Sequence, residues 1–367
     1  MRMRDLFNGP RLGDYRGRDN NFNLIRFFAA TLVIWTHAFG LLDRTSFEPV
    51  FRAFHLGAGD LGVDIFFVLS GFLVSKSWDG KTLSQFAWAR FTRIYPGLWI
   101  SILASVLVVA LFFTDEPAIR FLTSGSTIAY LAHNATMLPT IGSRMTLPHA
   151  FAHYGNQFNV PLWTLPYELQ MYGLLALIGI TLGLRARYVG MIAAIGVAGV
   201  LLNKLGGIEL MGTDRGRFLY FFFIGSLAYT LRRHIPIRGW LAASLACTVA
   251  LTVALTHRYA LRQAALLLAL PYLLLWSGLV PGGVLRLWNR LGDYSYGMYI
   301  YGCPIQIALH DTAAVTTSGA NFVYSMLITL PVAVASWHLV ETHALRKPLP
   351  AFLAFRFPKR TAPTAGD

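Results

Sequence analysis

Charged residues are scarce in this 367-residue chain: they make up 13% of it, and no polar stretch is long enough to form a separate soluble domain. Soluble domains usually contain about 25% charged residues. Here 55% of the residues are hydrophobic. They recur in runs of about 18 to 22 residues, the length that crosses a bilayer as an α-helix. The scarcity of charge therefore excludes an ordinary soluble protein and predicts an all-α, polytopic membrane protein.

Cysteine is also rare, with two residues, Cys247 and Cys303, both inside apolar runs. Cysteines in such runs usually pack as small apolar side chains. His149 and His153 have the i, i+4 spacing of zinc ligands on a helix, but the sequence offers no clear third ligand. A Gly-x-Ser-x-Gly nucleophile motif is absent as well. We therefore expect no disulfide, no metal and no permanently bound cofactor.

The formal net charge is +14, which in a soluble protein would suggest nucleic-acid binding. In a membrane protein, basic residues instead collect in the cytoplasmic loops. With the N-terminus in the cytoplasm, 22 of the 31 basic residues fall on the cytoplasmic side. This asymmetry predicts an even number of spans and two cytoplasmic termini, with the lipid bilayer and not nucleic acid as the partner.

Ten apolar segments are candidates for membrane spans. The segments are residues 22–42, 61–78, 94–114, 163–184, 187–204, 216–232, 239–256, 263–280, 293–312 and 321–341. They predict one transmembrane domain, residues 21–348, between a cytoplasmic N-terminal tail (1–20) and a cytoplasmic C-terminal tail (349–367). Residues 115–162 are less apolar and predict an outer loop or a re-entrant segment, which is stable only where protein covers it.

Two ionisable residues, Arg26 and His37, lie in the first span. Such residues are costly inside a membrane and commonly mark functional sites. At about 100° per residue, eleven positions bring both side chains to one helix face, about 16 Å apart along the axis. Arg26 would lie at the cytoplasmic mouth and His37 in the outer half. The alternatives are a topology anchor for Arg26 and a hydrogen bond to a neighbouring helix for His37.

Glu168 follows Trp163 in the segment NVPLWTLPYELQMYGLL. Counted from the outer ends of their spans, Glu168 and His37 have a similar depth, roughly 7–8 Å below the outer boundary. A carboxylate near an imidazole orients it and stabilises its cation. A contact between Glu168 and His37 is therefore the hypothesis for a structure to test. The alternative is a structural ion pair between Glu168 and an arginine elsewhere.

A basic rim precedes the third span, where Arg90 and Arg93 are one helical turn apart and Lys76, Lys81 and Arg26 lie on the same side. Paired guanidinium groups suit phosphate oxygens. The pattern also agrees with the general accumulation of basic residues in cytoplasmic loops. The rim thus predicts either a cradle for a phosphate-bearing ligand or a topology signal.

Two polar residues of the second span complete the set of candidates. Asp64 falls in the outer half, where its carboxylate would extend the polar site. Ser70 precedes Gly71, and small residues of this kind permit close helix packing. Packing is the simpler interpretation of Ser70.

Six motifs, in order, resemble the acyltransferase-3 family of membrane O-acyltransferases. The motifs are the Arg26–His37 pair, FFVLSGFLVS, RFTRIYP, PLWTLPYE, LGDYSYGMYIYGCPIQ and HLVETHALRKP. The resemblance implies a donor acyl-CoA, most often acetyl-CoA, and a sugar hydroxyl as acceptor. It also implies a stand-alone membrane domain without a fused hydrolase-like domain, so that transfer is direct or uses a separate protein. Many members carry a histidine before the proline of the fifth motif, which here reads Tyr301-Gly302-Cys303-Pro304.

The resemblance also assigns roles to the candidate residues. Arg26, Arg90 and Arg93 would bind the phosphates of the donor. His37 would act as general base on the acceptor hydroxyl or carry the acyl group itself, and Glu168 would hold His37 or the acceptor. The residues expected to support the acceptor are Asp64, Ser70, Trp163, Tyr167 and Tyr299.

The expected acceptor is a sugar of a cell-surface or exported glycan, or a lipid-linked sugar, and the expected location is the bacterial inner membrane. One alternative function is a transporter or flippase of a lipid-linked sugar or small metabolite, which would use the buried charges as a translocation path. Another is the acylation of a small secondary metabolite.

Overall fold

A computed structural model of the chain describes residues 10–15, 17, 19–42, 45–137, 147, 158–206, 213–312 and 315–354. Within these residues the secondary structure is helical, and strand pairing is limited to one isolated bridge between Arg11 and Pro236. The prediction of an all-α protein is therefore confirmed.

The described residues contain ten helices of at least 17 residues and several short ones. The long helices are α1 (Phe22–Gly40), α3 (Ala58–Trp78), α4 (Leu83–Phe112), α7 (Leu165–Thr181), α8 (Ala186–Gly206), α9 (Thr213–Thr230), α10 (Gly239–Leu255), α11 (Tyr259–Leu279), α12 (Ser295–Asp311) and α13 (Ser318–Ser336). The short helices are α2 (Pro49–Phe54), α5 (Ala118–Thr123), α6 (Gly125–Thr136) and α14 (Thr342–Leu345).

Each of the ten predicted spans overlaps one long helix. Six stretches of the described chain are long and apolar enough to cross a bilayer: α1, α3, α4, most of α8, α11, and α13 with its continuation to Leu345. The multi-pass membrane architecture is therefore confirmed, whereas a total of ten crossings stays a prediction. Below, the side of the bundle at which α1 begins is called the inner side, because the basic residues predict it to be cytoplasmic.

Helices α1, α3 and α9 form the centre of the bundle. The pairing of α1 with α3 is antiparallel, since Phe22 contacts Phe72 at one end and Thr36 contacts Gly59 at the other. A Cβ atom on Gly71 would come within 1.8 Å of the Phe222 carbonyl oxygen of α9. Glycine at this position thus permits the close helix approach that the sequence predicts for Ser70-Gly71.

The N-terminal strap, meaning residues 10–15, 17, 19 and 20, crosses the inner side of the bundle. Leu12 is 1% exposed, and its backbone N–H donates to the carbonyl of Ile235 at 2.9 Å. The Gly13 N–H donates to the Arg232 carbonyl at 2.7 Å, and Asn289 Nδ2 donates to the Asn20 carbonyl at 2.7 Å. Part of the polar tail predicted for residues 1–20 is therefore a fixed wall of the fold.

Two segments of the region predicted as an outer loop or re-entrant element pack against the helices of the bundle. Helix α6 ends beside the middle of α4, where Trp99 Nε1 donates to the Ala135 carbonyl at 3.0 Å. The 3₁₀ segment Val160–Thr164 is preceded by Asn159, whose Nδ2 donates to the Ile300 carbonyl of α12 at 2.9 Å. These bonds satisfy backbone groups that hydrocarbon alone would leave unpaired. His149 and His153 lie outside the described residues.

Candidate active site

A cavity of about 530 Å³ opens on the inner side of the bundle and is called the inner cavity here. It lies between α1, α3, α4, α7 and the turn before α12. Its polar lining includes Arg26, Ser70, Arg90, Arg93, Glu168, Tyr172, Asp293 and Tyr296. The three arginines that the resemblance implies for donor binding therefore share one cavity.

Asp293 joins two of these arginines. Its Oδ2 atom lies 2.8 Å from Arg26 Nη1 and 2.6 Å from Arg93 Nη2, and Ser295 Oγ donates to Oδ1 at 2.5 Å. The side chain of Asp293 is only 8% exposed. The preceding Gly292 has a φ of +132°, a conformation that favours glycine. A tight turn thus fixes the shared anion between Arg26 and Arg93.

Arg93 has a second acidic neighbour, Glu341, whose Oε2 lies 3.8 Å from Arg93 Nη1. Glu341 ends a π-helical turn, Trp337–Glu341, that follows α13, and the Trp337 ring lies 5.9 Å from the Arg93 guanidinium. π-Helical turns are frequent at functional sites because they redirect side chains. Asp293 and Glu341 are not among the candidates predicted from the sequence, although each is an acidic residue at the inner end of a predicted span and lies within one of the six motifs.

Arg90 differs from its two neighbours. It lies 5.6 Å from the centre of the Tyr172 ring and 5.9 Å from that of Phe86, and Nη2 donates to Ser77 Oγ at 3.5 Å. In the described part of the chain no carboxylate pairs with it, and its buried Nε has no hydrogen-bond partner. Arg26 and Arg93 are neutralised by adjacent acids, whereas the charge of Arg90 is not.

Glu168 lies in the first turn of α7. Its Oε1 atom accepts a hydrogen bond from Ser70 Oγ at 3.0 Å and another from the Tyr172 hydroxyl. A narrow passage of about 40 Å³ leads from this point toward the outer side. Its lining consists of Arg26, Val63, Phe66, Phe67, Ser70, Thr164, Leu165, Glu168, Tyr296 and Tyr299. Glu168 and Ser70 thus mark the place where the inner cavity meets the narrow passage.

His37 shares helix α1 with Arg26, so the predicted common face of the two residues holds. His37 Nδ1 lies 2.7 Å from the Val33 carbonyl oxygen. Because a carbonyl only accepts, Nδ1 carries a proton, and in the neutral imidazole Nε2 then keeps its lone pair. The imidazole is therefore in the tautomer that a general base requires.

The contact between His37 and Glu168 is not formed, and this part of the sequence interpretation was wrong. The residue before His37, Thr36, packs on Gly59, whereas Glu168 bonds to Ser70, eleven positions farther along α3. That distance is about 16 Å along the helix axis. The depth estimate failed because α7 begins inside the bundle, after the 3₁₀ segment, and not at the outer boundary.

The outer end of α1 is held by a buried carboxylate, Glu48. Glu48 Oε1 accepts from Thr36 Oγ1 at 2.8 Å and from the Ala58 N–H at 2.7 Å. Thr36 Oγ1 in turn accepts from the Gly59 N–H at 2.7 Å. Burial raises the pKa of the Glu48 carboxyl. The loop carrying Glu48 thus fixes α1 to the start of α3, next to His37.

A family model described as an acyltransferase domain matches residues 19–338, which is most of the chain. The chain belongs to the acyltransferase-3 family. It is therefore an O-acyltransferase, as the names of two of its relatives also indicate, and the transporter alternative is not retained.

Three curated relatives illustrate the similarity of this acyltransferase-3 member to known proteins. Nodulation protein 10 of Rhizobium leguminosarum bv. viciae is 25% identical over 365 residues, covering 92% of this chain and 96% of the relative. The O-acetyl transferase of Shigella phage Sf6 is 27% identical over 360 residues, covering 91% and 98%. Peptidoglycan O-acetyltransferase OatA of Listeria monocytogenes is 30% identical over 141 residues, covering 33% and 20%. No solved structure matches this chain.

Three residues with predicted supporting roles lie outside the inner cavity and the narrow passage of this acyltransferase-3 member. Asp64 Oδ1 accepts from Arg217 Nε at 2.7 Å, so its carboxylate is used in a structural ion pair. Trp163 and Tyr167 pack against Phe218, with ring centres 5.6 Å and 5.4 Å from it. The expectation that these side chains line the acceptor site has no support in the cavities described.

Tyr299, by contrast, lines the narrow passage. Its hydroxyl lies 2.5 Å from Thr164 Oγ1 and donates to the Pro161 carbonyl at 2.8 Å. It therefore fixes the 3₁₀ segment to α12 and so places the start of α7. Among the described residues, no cluster of three or more histidine, cysteine or acidic side chains is arranged to hold a metal ion.

Proposed function

We propose that this acyltransferase-3 member transfers an acetyl group from acetyl-CoA on the inner, cytoplasmic side of the bacterial inner membrane to a sugar hydroxyl of a surface or exported glycan. The observation that carries the proposal is the continuity of the two cavities. The inner cavity and the narrow passage share Arg26, Ser70, Glu168 and Tyr296. A donor that entered from the inner side would therefore have a path toward the middle of the bundle.

His37 is the proposed general base at the outer end of this path. Its ring bonds to the Val33 carbonyl, and the Val33 side chain packs on Gly62. Gly62 adjoins Val63, which lines the narrow passage. His37 Nε2 would take the proton of an acceptor hydroxyl that approaches from the outer side. In the alternative mechanism His37 carries the acyl group, and rapid-quench labelling that traps no histidine adduct during turnover would exclude it.

Glu168 is assigned a different role from the one the sequence suggested. Because it bonds to Ser70 and Tyr172 at the junction of the two cavities, we assign it to positioning the thioester arm. A glycan acceptor is supported by the relative named as a peptidoglycan O-acetyltransferase. Mass spectrometry of surface glycans from cells with and without the protein tests this acceptor class. Unchanged glycans together with an acylated small metabolite would favour the metabolite alternative.

Arg90→Ala should weaken donor binding, because Arg90 provides the charge that no described carboxylate neutralises. Hydrogen bonds to charged groups contribute about 1.5–3 kcal/mol, so the dissociation constant of acetyl-CoA should rise at least tenfold. Isothermal titration with purified protein in nanodiscs measures this change. The matched control is Arg120→Ala, because Arg120 lies on α5 with its side chain 78% exposed. Equal affinities of the two variants for acetyl-CoA would show that Arg90 does not bind the donor.

Phe66→Ala should widen the acyl specificity. The passage of about 40 Å³ has room for about three water-sized groups, which is the number of non-hydrogen atoms in an acetyl group. Phe66 narrows it, with its ring 5.8 Å from that of Tyr299. The rate with hexanoyl-CoA relative to acetyl-CoA should rise at least tenfold, since one methylene in a tight pocket already changes rates by about 10–200-fold.

The acyl-chain prediction is measured as free CoA released from each donor. Phe28→Ala is the control, because Phe28 lies on α1 with its side chain 58% exposed and does not line the passage. If the unmodified protein used hexanoyl-CoA at the same rate as acetyl-CoA, the passage would not select the acyl group. Phe66→Leu provides a milder change should the alanine variant fold poorly.

A further inference from the structure

A second cavity, of about 790 Å³, lies on the inner side next to the inner cavity. One of its walls is the N-terminal strap, and the others come from the inner ends of α3 and α9. It is called the strap cavity here. It shares Asn20, Phe22 and Leu73 with the inner cavity, so the two spaces adjoin. Strap residues 10–15 and 17 lie outside the family match of residues 19–338.

The strap cavity is basic. Its charged lining consists of Arg11, Lys76, Arg232, Arg233, Asp14 and Asp19. The two acids are engaged elsewhere: Asp14 accepts from the Arg11 backbone N–H at 2.7 Å, and Asp19 pairs with Arg286. The cavity thus presents four cations to a ligand and little acceptor capacity.

Three of the four cations, Arg11, Lys76 and Arg233, have no acidic partner in the described part of the chain, and Arg11 Nη1 donates to the Arg233 carbonyl at 2.9 Å. Arg232 Nη2 lies 3.6 Å from Asp79 Oδ2. Lys76 Nζ, in contrast, makes one long hydrogen bond, of 3.4 Å, to the Gly17 carbonyl, and no ion pair is formed by Arg233. Unpaired lysine and arginine side chains around a cavity suit phosphate oxygens.

We infer that the strap cavity binds the adenosine 3′-phosphate end of the acyl-CoA donor, with that phosphate on Lys76 and Arg233, and that the diphosphate is left to Arg90 in the inner cavity. The inference rests on the proposed function. An acyl-CoA is a long molecule with phosphates at one end and the thioester at the other. The two adjoining cavities match that order, since the basic one lies at the edge and the inner cavity leads to Glu168. The connecting arm would pass Asn20 and Phe22.

Phosphate groups near the inner membrane surface have a second source, the headgroups of anionic lipids. The chemistry of recognition is the same, so the experiment must separate the sources. The double variant Lys76→Ala/Arg233→Ala removes the two unpaired cations assigned to the phosphate, and both side chains are exposed, so the cost in stability should be small. The matched control is Arg346→Ala, an exposed basic residue beyond α14.

The test compares acetyl-CoA with S-acetylpantetheine, which has the same thioester arm but no nucleotide. Both are supplied to purified protein in nanodiscs of phosphatidylcholine, and release of the free thiol is measured. We expect the preference for acetyl-CoA, as a ratio of kcat/KM values, to fall at least tenfold in the double variant and to stay constant in Arg346→Ala. Adenosine 3′,5′-bisphosphate should compete with acetyl-CoA in the unmodified protein and do so more weakly in the double variant.

An unchanged preference in the double variant would overturn the inference. So would a variant that keeps its donor preference but loses thermal stabilisation by phosphatidylglycerol nanodiscs, since that result assigns the cavity to lipid headgroups. If the unmodified protein used neither thioester, the proposed function itself would fail. If it used both equally well, acyl transfer would stand and only the nucleotide site would be lost. The single variants Lys76→Gln and Arg233→Gln repeat the measurement if the double variant is unstable.

Discussion

His37→Ala should reduce acyl transfer by a factor of about 10² to 10⁴, the usual contribution of a positioned general base. The imidazole donates from Nδ1 to the Val33 carbonyl, which leaves Nε2 as the basic atom. Alanine removes that atom but keeps α1 helical, since alanine is the strongest helix former. The measurement is the acetyl content of surface glycans, by mass spectrometry, in cells that produce equal amounts of each variant.

The His37 prediction has a matched control in His257→Ala, because His257 is exposed between α10 and α11. This variant should keep the acetyl content of the unmodified protein. Binding of acetyl-CoA to His37→Ala should stay within about twofold, since His37 does not line the inner cavity. Full acetylation of surface glycans by His37→Ala would show that His37 takes no part in the reaction. A large loss of affinity for acetyl-CoA would show instead that His37 contributes to donor binding.

Asp293→Ala should destabilise the protein by about 3 kcal/mol or more. It removes the anion shared by Arg26 and Arg93, and breaking a buried ion pair leaves uncompensated charge that costs about 3–5 kcal/mol. The two arginine side chains are only 21% and 14% exposed, so solvent screens them weakly. A lower midpoint of thermal unfolding in detergent, together with lost acetyl-CoA binding, is the expected result.

The control for Asp293 is Asp214→Ala. Asp214 also contacts an arginine, Arg217 at 3.6 Å, but is 49% exposed, and exposed pairs contribute about 0–1 kcal/mol. The double variant Asp293→Asn/Arg26→Gln should be more stable than Asp293→Ala, because only one of the two arginines is then left without its carboxylate partner. Equal midpoints for Asp293→Ala and Asp214→Ala would show that the Arg26–Asp293–Arg93 cluster is not structurally important.

The helices were the part of the structure most open to prediction. Hydrophobic run length placed all ten long helices, because a bilayer span requires about 20 apolar residues whatever the tertiary contacts. Helical phase also placed Arg26 and His37 on one face of α1, since phase depends only on spacing within one continuous helix. Arg90 and Arg93 line the same cavity as Arg26 because all three lie near the inner ends of α1 and α4, and both helices border that cavity.

The contacts between segments were not open to prediction in the same way. The depth of Glu168 depends on Tyr299 and Asn159, which draw the 3₁₀ segment into the bundle, and one sequence does not reveal such long-range partners. The pairing of Asp293 with two arginines was missed for a similar reason. A buried cation needs an anion, however, and a search for acids at the inner ends of the spans would have found Asp293 and Glu341.

The strap has a consequence for biosynthesis. Arg11 Nη1 bonds to the Arg233 carbonyl, and 222 positions separate the two residues along the chain. At about 5–20 residues per second, the ribosome needs roughly 11–44 s to make that interval. The strap leaves the ribosome before its partners and must therefore wait until α9 has been inserted. Assembly of the strap is thus a late step in maturation, and chains truncated before residue 233 should leave the strap accessible to protease.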